Sequence, residues 1–392
     1  MAASDLAGRL FSYYRDGHTW RRGLNGRMLH RWRGREGTTP AACDIEAQAR
    51  RREGASREAL APDSAEAAAV VDLAAALFRN ALEACRGNSW KWTPHLERAA
   101  RQVLEDALRR PASFTSDVAQ QDAAWFASVY RPVGILPPDQ YLSLVLQATE
   151  GCSFGSCTFC GLYRDGYRVK TVEEFRRHMA EVRDYMGGSL LLRRQSIFLG
   201  AANALAIPMV RLVPILEAIA GEGEFRERPI SAFVDGFTGA RKDERDYMAL
   251  KALGLRRVYI GLESGHDALL ELVKKPGTAA DAVGVVRAIK AAGLSAGVIV
   301  IMGLGGLRFA KAHVIDTANA VNSMGLGAGD ILYLSNLVED AGTEYPRLAR
   351  DAVLEPLAPA DFLAQKSSLR ALLRFTGAPP RVATYDIREF IY

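Results

Sequence analysis

Cys152, Cys157 and Cys160 share one loop in a chain that has five cysteines in all. Three thiolates this close can grip a soft metal centre. They suit a cubane iron–sulfur cluster, which normally takes four cysteine ligands. With three protein ligands one iron stays open, and an open iron can bind a small molecule and react with it. The competing reading takes Cys157-x2-Cys160 as half of a zinc site. Zinc needs four ligands, no cysteine pair follows downstream, and the six histidines are scattered. Cys43 and Cys85 lie far upstream and read as small buried hydrophobes.

The bulk composition narrows the setting for that loop. At 392 residues and 49% apolar content the chain can bury a sizeable core, which argues against global disorder. A net charge of +5 is too small to argue nucleic-acid binding alone. The odd cysteine count, with three clustered, disfavours a disulfide framework and fits a reducing cytoplasm. No basic-then-apolar start and no run of about 18 uncharged apolar residues occurs, so neither a secretory signal nor a membrane span is expected. The start is arginine-rich, with Arg21, Arg22, Arg27, Arg31, Arg33 and Arg35 interleaved with Trp20 and Trp32. This reads as a solvated arm or helix face, and a phosphate- or carboxylate-binding surface is the functional alternative.

The elements that must position the loop follow from periodicity. From Thr39 to about Ser128 the text is helical, with Asp63-Ser64 as a helix start, apolar residues at helical spacing from Ala67 to Phe78, and a second helix from about Pro94 to Leu108. Pro132, Pro137 and Pro138 mark a boundary. After it, strands alternate with amphipathic helices. The strands are expected at 142–148, 196–199, 230–234, 257–262, 296–302 and 330–334. They are mostly continuous apolar runs, as in strands buried on both faces. Six strand–helix units imply a parallel sheet with right-handed crossovers, and chemistry at the C-terminal ends of its strands. The cysteine loop follows the first strand and so lies at that mouth. A helix over about 359–375 and an extended end complete the chain.

At this point the residues resemble a family. Cys152-x4-Cys157-x2-Cys160 after a first strand, with Phe159 before the last cysteine, resembles the radical S-adenosylmethionine (SAM) superfamily. The commonest pattern there has three residues between the first two cysteines, and here there are four. Val258-Tyr-Ile-Gly-Leu-Glu-Ser-Gly265 is similar to the fourth-strand signature of the branch with oxygen-independent coproporphyrinogen oxidases, Elongator-type enzymes and methylthiotransferases. Lys275-Pro-Gly-Thr278, the Gly-rich stretch ending at Gly306, and His313 to Thr317 agree with that branch in order.

The resemblance implies a fold, cofactors and roles. The fold is α/β: a partial (β/α)6 TIM-like barrel over 136–340, a helical N-terminal extension over 1–135 and a C-terminal helix and tail over 341–392. Cys152, Cys157 and Cys160 would hold a [4Fe–4S] cluster whose open iron chelates SAM. Phe159 would lie near the adenine, and Ile301 with Gly303 would form a flat wall for it. Gly200, Ala201, Ala202 and Asn203 occupy the glycine-rich segment that offers carbonyls to the SAM ammonium; the usual acid is missing and Asn203 is the polar substitute. Glu263 and Ser264 would reach the ribose hydroxyls or the methionine end, and Lys275 would pair with the SAM carboxylate.

The flanks exclude several activities of the branch. No cysteine follows Cys160, which argues against an auxiliary cluster and against methylthiotransfer. Asp16-Gly-His18 is superficially like a cobalamin lower-ligand motif, but Arg21 stands where that motif needs glycine. Tyr163, Arg164, Asp235, Asp330 and Asn336 lie near strand ends or in the cysteine loop and are candidates to orient a polar substrate. His313 reads as a helix-face or capping residue. The expectation is an oxygen-sensitive, cytoplasmic radical SAM enzyme acting on a small metabolite or natural-product intermediate. Its electron donor would be a flavodoxin or ferredoxin, and no membrane is involved. RNA or peptide modification is the first alternative, and a non-catalytic iron–sulfur or haem carrier is the second.

Overall fold

The computed structural model describes residues 1–32, 56–87, 98–163, 166–192, 196–239 and 241–392. Arg33, Arg35, Cys43 and Arg164 lie outside the described residues. The chain divides into two compact units: Met1–Pro132 with Glu181–Arg193 and Ile391–Tyr392, and Val133–Ala180 with Arg194–Phe390.

The first unit opens with an antiparallel sheet of five strands in chain order: β1 (Ala2–Ser4), β2 (Leu10–Arg15), β3 (His18–Arg22), β4 (Met28–Trp32) and β5 (Ser56–Leu60). The expected helical extension is therefore corrected over residues 1–32 and Ser56–Leu60, which form strands. Asp16 and Gly17 both take positive φ, 50° and 83°, between the paired Arg15 and His18. That is the two-residue Asp-Gly turn which matches the twist of a hairpin. The tripeptide that looks like a cobalamin ligand is thus a hairpin turn. One sheet face carries Leu10, Tyr13, Met28 and Leu60 against Ala67, Val70, Val71 and Ala74. Those four alanines and valines belong to helix α1 (Ala65–Arg86), whose first turn is capped by Ser64 accepting from the Ala67 N–H. Helices α2 (Arg98–Ala112) and α3 (Ser116–Val129) follow. Pro111 sits in the last turn of α2, which runs a few residues beyond the expected end near Leu108. Two of the early arginines are structural: Arg9 and Arg22 both bind the Asp122 carboxylate, at 2.6 and 3.1 Å, in the buried interior. Cys85 is buried in α1, as a small hydrophobe would be.

The second unit is a parallel sheet of seven strands, in the order β12-β11-β10-β9-β8-β7-β6. These are β6 (Leu144–Gln147), β7 (Ile197–Gly200), β8 (Ile230–Val234), β9 (Leu255–Glu263), β10 (Ser295–Met302), β11 (Ile331–Asn336) and β12 (Arg381–Tyr385). Its helices are α4 (Val172–Met186, whose last turns belong to the first unit), α5 (Met209–Gly221), α6 (Glu244–Ala252), α7 (Asp267–Leu272), α8 (Ala279–Ala291), α9 (Gly306–Asn322), α10 (Tyr345–Asp351) and α11 (Pro359–Leu372). The first six strands lie where the apolar runs predict them. The seventh comes from the C-terminal segment, which is therefore part of the sheet and not a separate tail. The sheet is not closed: β6 and β12 are its edges.

Register sorts the strand residues between the concave interior and the helices outside. Phe198, Phe233 and Tyr259 pack together inside, and Tyr333 meets Tyr385 there. The N-terminal end of the strands is stoppered. Asp139 accepts from Tyr333 Oη at 2.7 Å, from Arg257 Nη1 at 2.7 Å and from Tyr259 Oη. At the other end Phe233, Gly261, Ile299 and Ile301 are only half-buried, while the outward-facing Val298, Val300 and Met302 are covered. The interior is therefore filled at the bottom and open at the C-terminal mouth.

Candidate active site

The cysteine loop leaves β6 and is closed at its base by a short ladder pairing Thr149–Glu150 with Arg168–Val169. Glu150 binds Arg168 at 2.8 Å and Lys170 at 3.1 Å. The Arg168 hydrogen bond, assisted by Lys170, holds the Glu150 carboxyl down to about 2. At its tip the loop is pinned to the end of α7 and the start of α10. Thr158 N donates to the Val273 carbonyl at 3.0 Å, Ser156 Oγ to the Lys274 carbonyl at 3.3 Å, and Tyr345 N to the Thr158 carbonyl at 2.8 Å. Phe159 packs with Ile301 and Leu337 around Leu269, Val273, Leu304 and Tyr345. The two residues expected at the adenine thus share one apolar cluster.

Glu263 and Lys275 meet beside the cysteines. Lys275 Nζ lies 3.2 Å from Glu263 Oε1, with both side chains largely buried. A Cβ at Gly261 would come within 2.1 Å of that Glu263 oxygen and 3.2 Å of the ammonium, so a glycine is what lets the pair lie across the strand. Glu263 has φ 61°, and the pairing of β9 with β10 shifts register between Gly261 and Glu263. This local break turns the carboxylate back over the strand. Burial works against the Lys275 charge, but Glu263 and Cys157 outweigh it and raise its pKa. The Cys157 thiol is pushed up to about 11, by loss of water first, with Glu263 and the other two cysteines adding and Lys275 opposing. Burial raises the Cys160 thiol as well. Among the described residues no three His, Cys, Asp or Glu side chains converge on a single ion. A cubane takes each thiolate on a different iron, and a bound metal deprotonates its thiol ligands. A donor set of three soft sulfurs beside an ammonium fits such a cluster.

Gly200, Ala201, Ala202 and Asn203 end β7 next to this loop. Ala201 N donates to Thr149 Oγ1 at 2.9 Å. Asn203, 4% exposed, donates from Nδ2 to Ser153 Oγ at 3.1 Å, to Thr238 Oγ1 at 3.2 Å and to the Asp235 carboxylate. Its Oδ1 is buried and has no donor among the described residues. Asp235, at the end of β8, thus sets the Asn203 amide so that a carbonyl oxygen is left over. It supplies a carboxylate where the glycine-rich segment itself has none.

Several candidates are placed elsewhere. Ser264 is fully buried, and its hydroxyl is engaged by His313 Nδ1 at 2.8 Å and by the His266 N–H at 3.1 Å, so it is turned to α9 and not to the mouth. Gly303 is not a bare wall: a Cβ there would lie 2.4 Å from the Phe362 ring, and its N–H donates to Gln365 Oε1 at 2.8 Å. Its role is to let α11 approach. Asp330 sits at the opposite end of the sheet, bound to Lys290 at 2.7 Å and to the Ala296 N–H at 2.8 Å. Asn336 pairs with Met302 and shares the outward parity of Leu332 and Leu334. The Tyr163 hydroxyl accepts the Ile135 N–H at 3.3 Å beneath the loop. His313 is fully buried in α9, not a surface cap. Register also brings in residues the sequence does not single out: Gln147, opposite Gly200, and Ser335, opposite Ile301 and Tyr385, line the interior at mouth level. Strand alternation counted from Phe198 and Tyr333 is the signal that finds them.

A family model described as the radical SAM superfamily matches residues 146–340. No curated protein matches the sequence. Among solved structures, coproporphyrinogen III oxidase (HemN) from Escherichia coli, a radical SAM enzyme, is 15% identical with a TM-score of 0.44, covering 64% of this chain and 54% of its own. The radical SAM methyltransferase TsrM from Kitasatospora setae, with cobalamin and a [4Fe–4S] cluster bound, is 17% identical with a TM-score of 0.44, covering 63% and 57%. The cobalamin-dependent enzyme OxsB, with aqua-cobalamin and SAM bound, is 16% identical with a TM-score of 0.39, covering 58% of this chain. This chain spans 31% of the length of OxsB.

Proposed function

The chain belongs to the radical SAM superfamily, and from that premise we propose that it reductively cleaves SAM at a [4Fe–4S] cluster and uses the 5′-deoxyadenosyl radical to take a hydrogen atom from a substrate. The observation that carries this reading is the gathering of three cysteines with the Glu263–Lys275 pair at the open end of the parallel sheet. Cys152, Cys157 and Cys160 would hold the cluster. One electron from a flavodoxin or ferredoxin balances the step: methionine and 5′-deoxyadenosine leave, and the substrate keeps the unpaired electron.

The chain's own residues bind and exclude water. Lys275 offers its ammonium to the SAM carboxylate, with Glu263 as counter-ion. Asn203 Oδ1, held by Asp235, is an acceptor for the SAM ammonium. Phe159 and Ile301 offer an apolar surface to the adenine, where stacking on an aromatic ring contributes about 1–3 kcal/mol. Below them Phe233 and Ile299 wall the interior, and Gln147 and Ser335 add polar groups. A small metabolite or natural-product intermediate suits a space floored by Tyr259 and Tyr333.

The deciding experiment is anaerobic. After cluster reconstitution, dithionite and SAM are added, and 5′-deoxyadenosine is quantified against Cys157→Ala. Product in the wild type alone supports the reading. No product, despite about four irons per chain, the count of one cubane, sinks it in favour of a non-catalytic carrier. A nucleic-acid substrate keeps one supporting observation: Arg21, Arg31 and Arg57 fall on the same face of the antiparallel sheet by register. RNA binding that weakens steeply with salt and falls in Arg31→Ser would bring that reading forward.

A further inference from the structure

Glu263 holds a left-handed backbone conformation that is uncommon for a residue with a side chain, and such a conformation persists only where its surroundings over-determine it. The three residues that follow are gripped by one helix. Thr317 Oγ1 accepts the Gly265 N–H at 2.8 Å. His313 Nδ1 lies 2.8 Å from Ser264 Oγ, and His266 Nδ1 lies 2.7 Å from Asp316 Oδ2. Positions 313, 316 and 317 are spaced i, i+3 and i+4, so they share one face of α9. The approach is at backbone distance: a Cβ on Gly265 would lie 2.3 Å from the Asp316 carbonyl oxygen and 2.5 Å from Thr317 Cα. Ser264, His313 and Thr317 are all fully buried. Burial keeps the His313 imidazole neutral, at about 4, so the contact is one of neutral hydrogen bonds.

We propose that α9 is a clamp on the turn after β9, in which His313 and Thr317 are positioning residues that set the Glu263 backbone and hence the Glu263–Lys275 pair beside Cys157. The clamp rests on the reading of that pair as part of the SAM site. Its logic is steric. With φ at 61° the Glu263 carboxylate folds back over Gly261 and meets Lys275. With an ordinary extended φ the side chain would point away from that glycine, and Lys275 would lose its counter-ion. The helix touches neither cofactor nor substrate in this account; it acts through Glu263.

Thr317→Val keeps the shape of the side chain and removes the acceptor for Gly265. In the cluster-loaded full chain three quantities are measured: iron content, SAM affinity by equilibrium dialysis, and the change SAM causes in the electron paramagnetic resonance spectrum of the reduced cluster. Thr317→Val keeps its iron and a cooperative thermal transition, weakens SAM binding about tenfold and reduces the spectral change, while Thr317→Ser restores both. Lys275→Gln is measured alongside. If Lys275→Gln weakens SAM binding and Thr317→Val leaves affinity and spectrum as in wild type, the clamp is overturned alone. If Lys275→Gln itself binds SAM normally, the reading of the pair falls and the clamp falls with it. Should Thr317→Val lose its thermal transition, Asp316→Asn, at the more exposed position of the same face, replaces it, with about a threefold loss expected. An unchanged affinity in that variant overturns the clamp.

Discussion

The two ends of the parallel sheet each carry a carboxylate paired with a cation, and they are finished in opposite ways. At the N-terminal end both Asp139 oxygens are taken, by Tyr333, Tyr259 and Arg257. Burial opposes the charge there, but these donors outweigh it and hold Asp139 below the usual carboxylate range. At the C-terminal end Glu263 has Lys275 as its ion-pair partner, and the buried Asn203 Oδ1 has no donor among the described residues. Interior side chains are sealed at one end and half-exposed at the other. A buried polar group without a partner is costly; Arg257 Nε at the sealed end also lacks one among the described residues, so the two ends differ in how their carboxylates are bonded and in the exposure of their interior side chains. The closed end is bonded within the chain, and the open end is where the proposed chemistry is placed.

That contrast breaks most visibly at Cys157. Cys157→Ala is expected to lower 5′-deoxyadenosine to the level of the SAM-free control without moving the thermal transition, and residual turnover would end the assignment of the open end. Asp139→Asn is its mirror image. It leaves Arg257 and two tyrosines mismatched and costs about 3 kcal/mol, less to the extent that Arg257 keeps contact with water. Denaturant titration reads this loss, and iron content stays as in wild type. A third measurement follows pH. The His313 pKa is held down to about 4 by burial, against an ordinary value of 6.5. The unfolded chain therefore takes up that proton first as the solution is acidified. The contribution is fully present above pH 6.5 and is lost as pH falls toward 4, up to about 3 kcal/mol in all. His313→Asn is expected to flatten this part of the stability profile. A smaller effect belongs to Gly261→Ala. The added methyl displaces the Glu263 carboxylate and weakens SAM binding about tenfold, while unfolding shifts by about 1 kcal/mol. The smallest expected change is in the first unit: Arg31→Ser leaves 5′-deoxyadenosine within about twofold, as for a half-buried side chain with no part in the proposed SAM contacts. A larger loss would move the arginine face into the function.

What the sequence makes legible follows from burial. The strands of the parallel sheet are covered on both faces and write themselves as continuous apolar runs, so six of seven can be read directly. β12, Arg381–Tyr385, is a mixed sequence at a sheet edge and carries no such run. The antiparallel sheet is harder still, because strands such as His18–Arg22 are half polar and rich in arginine. Its hairpin signals are nevertheless present in Asp16-Gly17 and in Asn25-Gly26, and turn chemistry would have found it where composition does not. At the mouth the difficulty is direction. Ser264 is next to Glu263 in sequence, but the left-handed residue between strand and turn sends the two side chains to different partners. Gly303 is small for the sake of Phe362, a contact 59 residues away that no local pattern records.

The placement of residues 381–392 has a consequence for how the protein folds. β12 completes the parallel sheet only after residue 385, and the Tyr385 hydroxyl then reaches back to the Leu136 carbonyl. Tyr392, 1% exposed, packs against Phe126 and Tyr130 inside the first unit, and its carbonyl accepts the Asn25 N–H at 3.2 Å. Each unit therefore takes a piece of its own core from residues 381–392, far in sequence from the elements they complete. Such long-range closure slows folding and prolongs the exposure of sheet edges, so both units stay incomplete until residues 381–392 have docked.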